Sequence, residues 1–151
     1  WGWQQLAGWY DEGAKYNEYL EAAENLVRIG KGEPPAYGFR AEAKLRLGDN
    51  RGAKADFQTA YELDPRYAFA GLHLIDEQLA DNEIDAATRT LVRLEEHVGG
   101  PYVKLRAVRL AIRKKDYNTA VERFRELAED TNCPPVLINR AADGLSEAGQ
   151  G

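Results

Sequence analysis

Two histidines, one cysteine and a stripe of arginines are the residues of this 151-residue chain whose types could do chemistry. His73 and His97 stand in no HExxH or other metal-ligand spacing, so no metal ligand is expected at either. His97 follows Glu95-Glu96 at the end of a helix-length segment, where the helix dipole favours a partly charged imidazole. Cys133 sits beside two prolines with no adjacent base to lower its pKa, and no second cysteine exists for a disulfide or a CxxC pair. No Gly-rich phosphate loop and no GxSxG elbow occurs. The expectation is a segment without catalytic residues, metal or cofactor, and hence not an enzyme. The acidic pairs Glu95-Glu96 and Glu129-Asp130 read as solvated surface at helix ends.

The arginines carry the sharpest local signal. Arg106, Arg109 and Arg113 stand at i, i+3 and i+7, which places three guanidinium groups along one helical face. Tyr102 extends that face by a turn. A guanidinium is a planar fork that grips carboxylates in bidentate fashion, so the stripe could receive an acidic segment of a partner protein. The competing reading is a solvated face whose arginines pair with Asp or Glu of a neighbouring helix.

Bulk properties set the frame in which such a face must stand. Hydrophobic residues make up 44% and charged residues 30%, the balance of a folded chain rather than a disordered one. A net charge of −5 argues against nucleic acid as the partner. No run of 18 apolar residues is present, so no membrane-spanning helix and no membrane partner are expected. The chain begins at Trp1 and contains no Met, and it reads as a piece of a longer protein. The compartment is open, with the cytoplasm as the default.

What positions these side chains is a repeat. Gly48-Asp49-Asn50 is followed by Ala53, Phe57, Ala60 and Asp64-Pro65. After 34 residues come Asn82-Glu83-Ile84, Ala87, Leu91 and Leu94. After another 33 come Lys115-Asp116-Tyr117, Ala120, Phe124 and Leu127. Such a period is the mark of stacked supersecondary units. Each period holds two helix-length segments around a short turn: about 3–12 and 16–29, 36–47 and 51–63, 69–80 and 84–98, 102–114 and 117–129. A last helix is expected over about 136–148, with Val136, Leu137, Ile138 and Leu145 on its buried side. The division is one domain, 1–151, with repeats at about 1–33, 34–67, 68–100 and 101–134 and a capping helix.

These residues resemble the tetratricopeptide repeat, a helix-turn-helix unit with the pattern W-x2-L-G-x2-Y, A-x3-F and P. Trp3, Leu6, Ala7 and Tyr10 match its first half, Ala53, Phe57, Ala60 and Pro65 its second, and Ala120 with Phe124 match again. Two departures stand out. Tyr19 and Ala23 invert the small-then-large order of Ala53 and Phe57, and the third repeat has Leu91 and Gly99 in place of the aromatic and the proline, which marks it as the least regular.

The resemblance implies an all-α, right-handed superhelical solenoid of antiparallel helix pairs. It also implies that the first helix of each repeat lines a concave groove. That groove would display Gln4 and Asp11, then Gly38, Glu42 and Arg46, then Phe69, Leu72, His73 and Asp76, and finally Tyr102, Arg106, Arg109 and Arg113. The function implied is a non-catalytic protein-interaction scaffold holding a partner peptide or helix. The alternatives are a substrate-recognition or regulatory arm of a larger enzyme, such as a glycosyltransferase, and a self-association module. The family's terminal-carboxylate clamp is not matched, because Gln4, Gly8, Phe39, Phe69 and His73 stand at its Lys, Asn and Arg positions. Trp1, Trp3, Trp9, Tyr10, Tyr16 and Tyr19 load the first repeat with aromatics that could mediate a homo-oligomer.

Overall fold

A computed structural model describes residues 15–30 and 32–150. The described residues form eight α-helices and no strand: α1 Tyr16–Gly30, α2 Pro34–Arg46, α3 Asn50–Leu63, α4 Ala68–Ala80, α5 Ile84–His97, α6 Pro101–Arg113, α7 Tyr117–Ala128 and α8 Pro135–Gly149. These are the helices expected from the periodicity, with ends shifted by one or two residues. The leading helix expected for the first repeat, over about 3–12, lies outside the described residues, as do Trp1, Trp3, Gln4, Trp9 and Asp11. No helix among the described residues is long and apolar enough to cross a membrane.

The turns inside the hairpins show how sequence becomes structure. Gly48, Asn82 and Lys115 adopt positive φ of 83°, 59° and 60°, each one residue before the N-cap of α3, α5 or α7. The amide of that N-cap residue donates back to the carbonyl five positions earlier, Asp49 to Lys44, Glu83 to Gln78 and Asp116 to Ala111, at 2.9, 2.8 and 3.0 Å. This is the left-handed ending of a helix, which satisfies carbonyls that the last turn would leave bare. In these three hairpins one residue thus closes the first helix and opens the second. Asp49 accepts from the Gly52 amide at 2.9 Å, and Asp116 from the Thr119 amide and hydroxyl. Glu83 stands at the equivalent place in the third repeat and its side chain makes no capping bond. That missing bond is where the third repeat departs from the second and fourth; its helices are as long as theirs.

The packing divides the chain into two compact units, Trp1–Leu74 and Ile75–Gly151, the division falling inside α4. In the first unit α2 packs against α1 and α3. Tyr19, Leu26, Ala36 and Ala43 form one buried cluster, and Ala53, Phe57 and Ala60 of α3 are fully buried, as their 3–4 spacing requires. Tyr19 and Ala23 are both buried, so the inverted size order is absorbed by the packing. Leu63, which continues that spacing three residues after Ala60, is exposed.

Charge also crosses this unit. The buried Asp56 of α3 accepts from both forks of Arg40 at 2.6 and 2.7 Å and from Lys44 at 2.8 Å, both on α2. Burial pushes the Asp56 carboxyl up, but the bonds and charges of Arg40 and Lys44 outweigh it and hold the pKa below the ordinary value. The same contact raises the Arg40 pKa further.

In the second unit α6 is the hub, packed against α5, α7 and α8, with α7 also against α8. Leu105, Val108, Leu127, Leu137 and Ala141 are its core, with Phe124, Cys133 and Leu145 half-buried at the edge. Val136 is exposed, so the buried side of α8 runs through Leu137 and Ala141 instead. The acidic helix ends are not bare surface: Asp130 accepts from Lys104 at 2.8 Å, and Glu95 pairs with Arg123 at 3.4 Å.

Candidate groove in the second unit

The residues expected to line a binding face fall into both units. In the first, Glu42 of α2 accepts from the Tyr19 hydroxyl at 3.4 Å and pairs with Arg46 one turn on at 3.3 Å. Arg46 lies over the Tyr16 ring at 5.6 Å. Gly38 is buried, because the Tyr67 phenol covers it. A side chain at 38 would bring its Cβ within 2.6 Å of the phenolic oxygen. Burial, and then the charge of Glu42, push the Tyr67 pKa up to about 12.

Phe69 and His73 lie on the first half of α4, within the same unit. The His73 ring stacks flat on Phe57 at 4.8 Å and meets the edge of Phe69 at 4.6 Å, while Phe69 also approaches Phe57 and Tyr67. Both side chains therefore serve an aromatic cluster around a core residue while remaining half-buried.

The second unit brings the remaining residues together. Arg106 donates from two nitrogens to Asp76 at 2.7 and 3.1 Å, and its side chain is only 13% exposed. This is the pairing with a neighbouring helix that the competing reading of the stripe describes, and it holds for Arg106. Arg109 is different: its side chain is 49% exposed and reaches the already occupied Asp76 only at 3.6 Å. Arg113 makes a polar contact with the neutral Asn82 side chain at 3.4 Å. Tyr102 is exposed a turn before Arg106. A carboxylate held by one bidentate arginine thus leaves two guanidiniums with unmet bonding capacity.

Those two guanidiniums open into a groove of about 600 Å³ between the end of α4, α6 and α8. Leu79, Ala80, Ile112, Gly144 and Ala148 supply its apolar lining, and Asp76 and Glu147 supply carboxylates. A second hollow of about 340 Å³ adjoins it, lined by Arg140, Asp143 and Glu147 among others. The sequence reading missed the contribution of α8, which it treated as a cap. The signal was available: one 34-residue period carries Arg109 onto Asp143 and Arg113 onto Glu147. Among the described residues no three His, Cys, Asp or Glu side chains cluster as a metal site.

No protein-family model matches the chain, and no curated protein matches it in sequence. Solved structures do. A thermophilic TPR protein from Thermus thermophilus superposes with a TM-score of 0.77 at 20% identity, over 93% of this chain and 78% of its own. A tetratricopeptide repeat protein from Parabacteroides merdae gives 0.84 at 16% identity, over 98% of this chain and 58% of its own. The Cut9–Hcn1 hetero-tetramer of APC/C gives 0.78 at 18% identity, over 98% of this chain and 29% of the matched one. The chain therefore spans less than two thirds of the length of the last two. At these identities the likeness concerns the fold, and with the helix pairs and their period it is decisive: the chain has the tetratricopeptide-repeat fold, an all-α array of helical hairpins.

Proposed function

We propose that the chain is a protein-interaction scaffold without chemistry of its own, and that its second unit docks a peptide segment of a partner in the groove between α4, α6 and α8. The observation that carries this is the arrangement of charge. Arg106 holds Asp76 with two bonds, so Arg109, which reaches that carboxylate only at 3.6 Å, and Arg113, whose partner is neutral, border an apolar-lined groove of about 600 Å³, within the size range of small-ligand sites. Carboxylates on the partner would complete the bonds these guanidiniums lack. Asp76 lines the groove with Arg106 held against it, Tyr102 stands exposed a turn before Arg106, and Glu42, Arg46, Phe69 and His73 lie in the first unit. The Cut9–Hcn1 assembly, in which a similar fold joins a partner protein, agrees with a protein ligand.

Gly144 offers a clean test. A Cβ there would meet only the Ile112 side chain at 3.5 Å, so Gly144→Leu fills the groove without disturbing the helix. Peptides selected on the immobilised chain from a randomised display library should lose on the order of tenfold in affinity for Gly144→Leu, and comparably for Arg113→Glu. Peptides that bind both variants as they bind the parent would refute docking in this groove.

A further inference from the structure

The charges of the groove are segregated by helix, and that bears on what the partner must look like; the inference rests on the docking reading above. Arg109 and Arg113 lie on α6, whereas Glu147, which α8 brings to the same groove, is a carboxylate; Arg140 and Asp143 of α8, of opposite sign, line the adjoining hollow instead. Glu147 and Arg113 border the same groove and make no ion pair with each other. Opposite charges that border one apolar-lined cleft without pairing each raise the cost of placing a group of their own sign beside them.

We infer that the partner segment is charge-segregated: a small apolar anchor for the Leu79, Ile112 and Ala148 lining, with carboxylates on the edge that faces α6 and Lys or Arg on the edge that faces α8. A uniformly acidic segment would satisfy Arg109 and Arg113 but would set its other edge against Glu147. A uniformly basic one would meet the reverse conflict. The mixed pattern meets neither, and it fixes the direction in which the segment lies, because turning it end for end exchanges its edges.

The test exchanges the walls. Arg113→Glu combined with Glu147→Arg alters two side chains at the groove's rim and conserves net charge, and a thermal melt would verify that the fold is intact. Display selection is run in parallel on the parent and on the exchanged chain, with Gly144→Leu as a blocked control. The parent should enrich peptides carrying both signs around an apolar residue, and each winner should bind the exchanged chain on the order of tenfold more weakly. The exchanged chain should enrich the reversed order. Groove-dependent peptides that are uniformly acidic, or that bind both chains alike, would overturn charge segregation while leaving docking intact. Peptides indifferent to Gly144→Leu would overturn docking itself.

Discussion

Asp56 is the residue whose loss would be felt most widely in the first unit. Its carboxylate is the shared acceptor of Arg40 and Lys44, so removing its charge strands two cations that are themselves largely covered. Asp56→Asn is expected to lower stability by about 2 kcal/mol, less than a fully buried pair would lose because both partners keep some water. Chemical denaturation of the variant would measure it. The pH dependence has a definite sign. The folded-state pKa lies below the unfolded value of 3.8, so the contribution is complete above that value. It falls away as the pH drops through 3.8 toward the lower folded value. Asp56→Asn should therefore flatten the acid limb of the stability curve, and a variant with an unchanged limb would show that other carboxylates govern acid unfolding. None of this was legible beforehand. Asp56 stands next to the core residue Phe57 and looks like an outward position, and only the approach of α2 reveals what it binds.

The helices themselves were legible, because their signals repeat. Gly48, Asn82 and Lys115 recur at the same phase, and so do Asp49, Glu83 and Asp116, the residues that stop one helix and start the next. The structure gives both sets one geometry, and two of the six are poorly suited to it. Lys115 holds a φ of 60°, which costs a side-chain-bearing residue about 1 kcal/mol and glycine nothing. Glu83 is one methylene too long to cap as Asp49 and Asp116 do. Lys115→Gly and Glu83→Asp are each expected to raise stability by about 0.5–1 kcal/mol, a rise in Tm of a few degrees for a chain of this size. Calorimetry would check both, and a fall in either would mean that the existing side chain makes a contact worth more than the cap. The ends of the periodic faces were less legible. Leu63 and Val136 continue their helical patterns on paper, yet both stand exposed, and the buried side of α8 runs through the adjacent Leu137.

At the scale of the whole molecule, the array of hairpins was readable from the period, and the groove only in part. The arginine stripe was found, but the sequence could not show that Asp76 would occupy Arg106 and so shift the open bonding capacity to Arg109 and Arg113. The chain carries a net charge of −5, so these arginines form a local positive feature on a negative body. A partner's carboxylates must reach them through that unfavourable field. The contact itself is an attraction that salt screens, so affinity for a groove-dependent peptide should fall as ionic strength rises, and the fall should be smaller in Arg113→Glu. A salt titration by fluorescence anisotropy would measure it, and equal slopes for the two chains would place the charged contact elsewhere. The fused turns have a further consequence for how such a chain can change length over evolutionary time. Since a single residue ends one helix and begins its partner, one inserted amino acid at 49, 83 or 116 would uncouple both. Insertions should instead accumulate where hairpins join, as at Gly99-Gly100, and the chain should grow by whole hairpins rather than by single residues.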